Sequence, residues 1–150
     1  MESALNRLAL MTPVSLYRSI IVKEIFIIGA GGFLGAVLRY VAVLSMQVFK
    51  TRHNIPLGTL LVNVVGCLLI GVLAVLAENS KVLSPDTRNF LIVGILGAFT
   101  TFSAFGFESM TMLKSGLTAA FALNIGLQLA LGFFAVWLGM NAGRLIQRVF

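Results

Sequence analysis

Four long apolar runs constrain this 150-residue chain more than any other feature. They cover 25–49, 57–77, 90–113 and 117–146, and each holds the roughly 20 residues a helix needs to cross a hydrocarbon core. Backbone amides inside that core have to be satisfied within the segment, so each run is expected to be a transmembrane helix. The connections "KTRHNIP", "ENSKVLSPDTR" and "KSG" are short and carry charge, Pro or Gly, where helices stop. Short connections make neighbouring spans antiparallel, and four spans put both termini on one side. The expectation is one all-α integral membrane domain over residues 24–150.

Composition agrees. With 59% hydrophobic and 11% charged residues the chain is too apolar for an ordinary soluble domain. Its formal charge of +6 comes from basic residues spread singly, a pattern suited to lipid headgroups rather than nucleic acid. Cys67 is the only cysteine, which excludes an intramolecular disulfide and reads as a packing residue. His53 has no second histidine or nearby cysteine to complete a metal site and reads as a solvated loop residue. Residues 1–23 hold a short apolar patch, broken by Pro13 and lacking a convincing cleavage site, and read as an interfacial or disordered N-terminal extension. Arg7, Arg18, Lys23, Lys81, Arg88, Arg144 and Arg148 fall on the side of the termini, against Lys50, Arg52 and Lys114 on the other. That excess leans the termini toward the cytoplasm, with Arg39 inside the first span left unassigned.

"KEIFIIGAGGFLGAVLRY" imitates a dinucleotide-binding turn, with Gly29, Gly31 and Gly35 after a short apolar stretch. The spacing is G-x-G-x-x-x-G, however, and no acidic residue follows about 20 positions on to hold a ribose. The uniformly apolar "LGTLLVNVVGCLLIGVLAVLA" behind it offers no polar face for a soluble sheet, so an enzyme is not expected. Gly31 with Gly35, and Gly139 with Gly143, read better as small-xxx-small faces for close helix packing.

Polar side chains at membrane depth are costly and generally face protein or water. Here they are Arg39, Asn63, Thr100, Thr101, Ser103, Asn124 and Gln128, with Glu108 the single acid, toward the end of the third span. Most are hydrogen-bond donors, suited to replacing the hydration shell of an anion. Asn124 and Gln128 lie one turn apart on the fourth span, and Phe102 and Phe105 share a face of the third, where positive ring edges can stabilise an anion weakly. Each has a plainer reading: the amides as interhelical glue worth about 0.6 to 2 kcal/mol apiece, the rings as core. "GAFTTFSA" falls at the centre of the third span, and its Gly and β-hydroxyl residues predict a break in that helix near the bilayer midplane.

"GGFLGAVLRY" (31–40), "GTLLVNVVG" (58–66) and "GAFTTFSAF" (97–105), in this order in a small four-span chain, resemble the Fluc family of bacterial fluoride channels, also called CrcB proteins. The resemblance runs from Gly29 to the C-terminus, and the third motif is the most specific. It implies a multi-pass protein of the bacterial inner membrane, an antiparallel dual-topology homodimer with two pores that passes fluoride out of the cytoplasm. Carried over by motif, Asn63 is the pore-lining amide, Phe102 and Phe105 flank the fluoride path, and Ser103, Asn124 and Gln128 supply further donors. Backbone carbonyls of Gly97 and Thr100 would hold a structural Na+ at the dimer interface, and Arg39 is the basic residue of the first motif. Ala104, the amides instead of hydroxyls on the fourth span, and the uneven Lys/Arg count depart from the family pattern. The rival readings are a small four-span multidrug-type transporter, for which only Glu24 at the lipid boundary offers a carboxylate, and an assembly subunit without transport.

Overall fold

The computed structural model describes residues 13–49, 55–78 and 82–148. Lys50, Arg52, His53, Lys81 and Arg7, used in the charge and metal arguments above, lie outside the described residues. Among those described there are helices and turns only, and four helical stretches are long and apolar enough to cross a membrane: Ile20–Met46, Leu57–Ala77, Pro85–Lys114 and Thr118–Gln147. We number the helices α1 (Pro13–Met46), α2 (Leu57–Ala77), α3 (Pro85–Arg88, continuing as a π-helix over Asn89–Leu96 and a last turn Gly97–Phe99), α4 (Phe102–Lys114) and α5 (Thr118–Gln147). The third span is thus α3 plus α4, interrupted at Thr100 and Thr101, where the break was expected.

One boundary differs clearly. Residues 13–23, expected to lie outside the first span as an extension, continue its helix without interruption. Pro13 starts that helix rather than breaking it, because a proline in the first turn lacks only an N–H that would have no helical acceptor anyway. At 34 residues α1 is roughly 50 Å long by its rise per residue, well beyond a hydrocarbon core. Lys23 donates to Asp86 at 2.5 Å, which ties α1 to the start of α3. Gln147 likewise donates to the Val75 carbonyl at 2.6 Å and joins the C-terminal ends of α5 and α2.

The glycines that mimic a nucleotide turn all sit inside α1, and two of them do packing work. A Cβ on Gly31 would come within 2.5 Å of the Phe90 carbonyl oxygen, and one on Gly35 would strike the carbonyl of Ile95, so α1 lies backbone to backbone on the π-helical segment. α2 meets α5 in the same way: a Cβ on Gly71 would lie 2.5 Å from the Val136 oxygen, and Gly143 abuts Val72 and Val75. Small residues are what permit such approach, and it is their close packing, rather than any hydrophobic drive, that holds helices together in lipid. Large apolar side chains accordingly face outward, Phe26, Phe33, Phe133 and Trp137 among them, as they do when the surrounding solvent is hydrocarbon.

Candidate functional site

The site grows from the break. α3 ends at Phe99, Thr100 and Thr101 are extended, and α4 begins at Phe102. Thr100 turns its hydroxyl back to the Leu96 carbonyl at 3.1 Å, and Thr101 caps α4 by accepting from the Ala104 N–H at 3.1 Å. The Thr101 N–H leaves the helix altogether and donates to Asn63 Oδ1 at 2.8 Å, while Asn63 Nδ2 donates back to the Thr101 carbonyl at 3.2 Å. One side-chain amide on α2 therefore pairs with the interrupted backbone much as a neighbouring strand would. Irregular backbone at this depth is tolerated only with such internal partners.

Two carbonyls are left over. In a continuous helix the Thr101 N–H would serve Gly97 and the Ala104 N–H would serve Thr100. Both donors are diverted, to Asn63 and to the Thr101 hydroxyl, and among the described residues no other backbone N–H reaches either oxygen. Gly97 is also exposed, and an added Cβ there would meet only the Ile92 carbonyl oxygen, at 3.8 Å. Freed, uncharged carbonyl oxygens of this kind are suitable ligands for a hard monovalent cation, so this pair fits the ion that the resemblance implies.

Asn63 makes one further bond. Its Nδ2 also donates to Gln128 Oε1 at 3.1 Å, bringing α5 to the break. The Gln128 Nε2 is buried and has no partner among the described residues. Asn63, Gln128, Thr100, Phe102 and Phe105 line an open cleft of about 240 Å³, completed by Cys67 and Leu129. The two phenyl rings meet edge to face, centroids 5.6 Å apart at 65°, so the shared face expected from their spacing is present. Phe102 is 82% exposed, which means that most of its ring faces out of this chain. Ser103 is exposed too, its hydroxyl 3.2 Å from that of Thr101. Cys67 is free and half-buried.

The remaining expected residues lie elsewhere. Asn124 is fully buried and donates to Ser109 at 3.0 Å, and it does not line the cleft. Its Oδ1 has no partner among the described residues. Glu108 accepts from the Thr59 hydroxyl at 2.7 Å, leaving Oε2 unpaired beside a second cleft of about 230 Å³ at the end of the bundle opposite the termini. Arg39 is half-buried, lines neither cleft, and makes no hydrogen bond or ion pair among the described residues. Sequence reasoning missed Thr59 and Ser109, both buried. Thr59 could have been found, since it stands one turn before Asn63 on the same face of α2. Ser109 shows no comparable signal.

The family described as CrcB-like protein, Camphor Resistance (CrcB), matches residues 26–140. A protein of Nitratidesulfovibrio vulgaris named "Fluoride-specific ion channel FluC" is 43% identical over 124 residues, which is 83% of this chain and 99% of that one. Its namesake in Campylobacter jejuni (strain RM1221) is 45% identical over 117 residues, 78% of this chain and 94% of its own. "Fluoride-specific ion channel FluC 1" of Methanosarcina acetivorans is 45% identical over 115 residues, 77% and 86% of the two chains.

Proposed function

This chain belongs to the CrcB-like family, and from that premise we propose that it is a fluoride-selective passive channel, releasing the anion from the cytoplasm and so relieving its toxicity. It is a multi-pass membrane protein and not an enzyme. The observation that carries the reading is the cleft at the break, where amide groups and two phenyl rings converge in an otherwise apolar span. Nothing in the family match supports the multidrug-type transporter.

Fluoride is small and holds its water tightly, so a path for it has to offer donors in close succession and be too narrow for chloride. The Gln128 amide, the Asn63 amide and the edges of Phe102 and Phe105 provide that chemistry without a full positive charge, which lets the ion leave again. Ser103 sits one residue beyond Phe102, and Asn124 lies one turn along α5 from Gln128 as a further amide on the same face. Arg39 gives the first span a fixed positive charge and so favours anions. Hydrogen fluoride enters cells as a neutral weak acid and dissociates. A negative interior of about 2.3 kcal/mol per charge per 100 mV then drives the trapped anion out through a passive path.

The exposure of Phe102 and the open side of the cleft support a second copy as the missing wall, an antiparallel homodimer in the inner membrane with two equivalent paths. The carbonyl oxygens of Gly97 and Thr100 would hold Na+ between the two copies, where the ion would supply fixed positive charge and bind the broken spans together. Purified protein in liposomes is expected to release fluoride down its gradient and to retain chloride. Equal release of chloride, or fluoride movement only with a proton gradient, would defeat the proposal.

A further inference from the structure

A third groove, of about 340 Å³, runs between α2 and the start of the third span and shares no lining residue with the cleft at the break. Ile70, Ala74, Ala77 and Glu78 of α2 form one side, with Arg88 and Ile92 across from them. Residues 70, 74 and 77 follow one another at helical spacing, so the floor is an apolar strip roughly 12 Å long that ends at Glu78. The charges sit at one end only. Glu78 stands just past α2, whose 21 residues come to about 30 Å, and Arg88 lies in the first turn of the third span, so both are at headgroup depth while the floor runs into the hydrocarbon. Both side chains are exposed, and neither pairs with the other or with any further charge, since the single ion pair among the described residues is Lys23–Asp86. Glu78 also caps the C-terminal end of α2, where aligned peptide dipoles add partial negative charge.

We propose that this groove binds a phospholipid with a zwitterionic ethanolamine headgroup: Arg88 takes the phosphate, Glu78 the ammonium, and an acyl chain lies along Ile70, Ala74 and Ile92. The site is independent of fluoride conduction. Basic pockets between transmembrane helices are a general type of headgroup site, and a guanidinium grips phosphate through two parallel N–H donors. An ammonium group in turn offers three donors to a carboxylate. With one charge of each sign the mouth has no net charge, so a headgroup that is anionic overall meets Glu78 as a repelling group. A choline headgroup carries the positive charge but has no N–H to donate. A second copy of the chain fits less well. Antiparallel to this one, it would bring its Lys114 end to the mouth, where the single acid among the described residues, Glu108, is already engaged by Thr59. Arg88 would then face a like charge.

The test is native mass spectrometry of the full-length protein, released from detergent micelles that hold dioleoyl phosphatidylethanolamine, phosphatidylglycerol and phosphatidylcholine at equal concentration. Wild-type protein is expected to retain the ethanolamine lipid about fivefold over each of the others, the worth of one charge contact at a membrane surface. Arg88→Gln should remove that preference. Glu78→Gln should lower retention of the ethanolamine lipid and raise that of the glycerol lipid, because the mouth then carries net positive charge; loss of structure alone would not exchange one lipid for the other. Both positions are exposed and unpaired, so both variants are expected to fold. Ala74→Phe keeps the charges but fills the floor, and should lower retention of all the lipids; the charge variants decide alone should it not fold. Equal retention of the lipids by the wild-type protein overturns the proposal, as does an unchanged preference in both charge variants. Loss of the dimer in Ala74→Phe with bound lipid unchanged would assign the groove to a second copy and overturn it as well.

Discussion

Gly94 of the π-helical segment and Gly31 of α1 stand so close that a Cβ on Gly94 would lie 2.9 Å from the Gly31 Cα. The atoms there are backbone and cannot swing aside. Gly94→Val is therefore expected to destabilise the fold by about 1–3 kcal/mol through overpacking. Gly29→Ala, where nothing lies within 4 Å of the added atom, is the matched control. Thermal unfolding in detergent reads the difference, and equal midpoints for the two variants would contradict this packing.

Phe102→Ile tests the path. With 82% of its surface exposed the ring contributes little to the packing of its own chain, so the variant is expected to fold and assemble normally. It removes the aromatic edge beside Phe105 and should lower fluoride efflux by about tenfold or more, near 1.4 kcal/mol in the barrier. Undiminished efflux would take Phe102 out of the path.

Asn63→Ala strips partners from the Thr101 N–H, the Thr101 carbonyl and Gln128 Oε1 together. Leaving buried polar groups unpaired costs about 1–3 kcal/mol each, some of it recoverable if the Thr101 N–H returns to the Gly97 carbonyl. The expected result is a folded protein, less thermostable, with efflux reduced at least tenfold. Wild-type flux together with wild-type stability would show that the clamp is dispensable.

These three residues also mark how far the sequence could be read. Four spans were legible because hydropathy over a membrane thickness leaves few alternatives, and the break was legible because Gly97, Thr100 and Thr101 are poor material for an uninterrupted helix. Asn63 could be singled out as a costly amide at depth, yet its partner could not: Thr101 is 38 positions away and enters through its backbone, which no side-chain pattern records. The same holds for Asn124, whose spacing grouped it with Gln128 although it turns to Ser109. The π-helical turns of 89–96 were invisible because they change backbone pairing without changing composition, and Pro13 was read as a breaker because its place in the first turn depends on where the helix starts.

Thr59→Val removes the hydroxyl that serves Glu108 while keeping the shape of a residue only 2% exposed. Glu108 would lose its single hydrogen-bond donor among the described residues, since Oε2 already lacks one. A loss of about 1–3 kcal/mol is expected, read as a lowered unfolding midpoint, and Thr59→Ser should recover most of it. Equal midpoints for the Val and Ser variants would mean that the bond contributes nothing.

Orientation can be read chemically. With Cys67 replaced by Ser, single cysteines at Glu78 and at Ser115 mark opposite ends of the bundle, both at exposed positions. If the chain inserts both ways, a membrane-impermeant maleimide added outside intact cells should label part of each population. Labelling at one position only would exclude dual topology.

The interruption at Thr100 and Thr101 has an electrostatic consequence of its own. It turns one long span into two half-helices, so the C-terminal end of α3 and the N-terminal end of α4 meet inside the membrane. Aligned peptide dipoles leave a partial negative charge at the first and a partial positive charge at the second, each on the order of half an elementary charge. Gly97 lies at the negative end and Phe102 at the positive one. Backbone alone thus sets opposite partial charges two residues apart, at a depth where an ionised side chain would be hardest to keep.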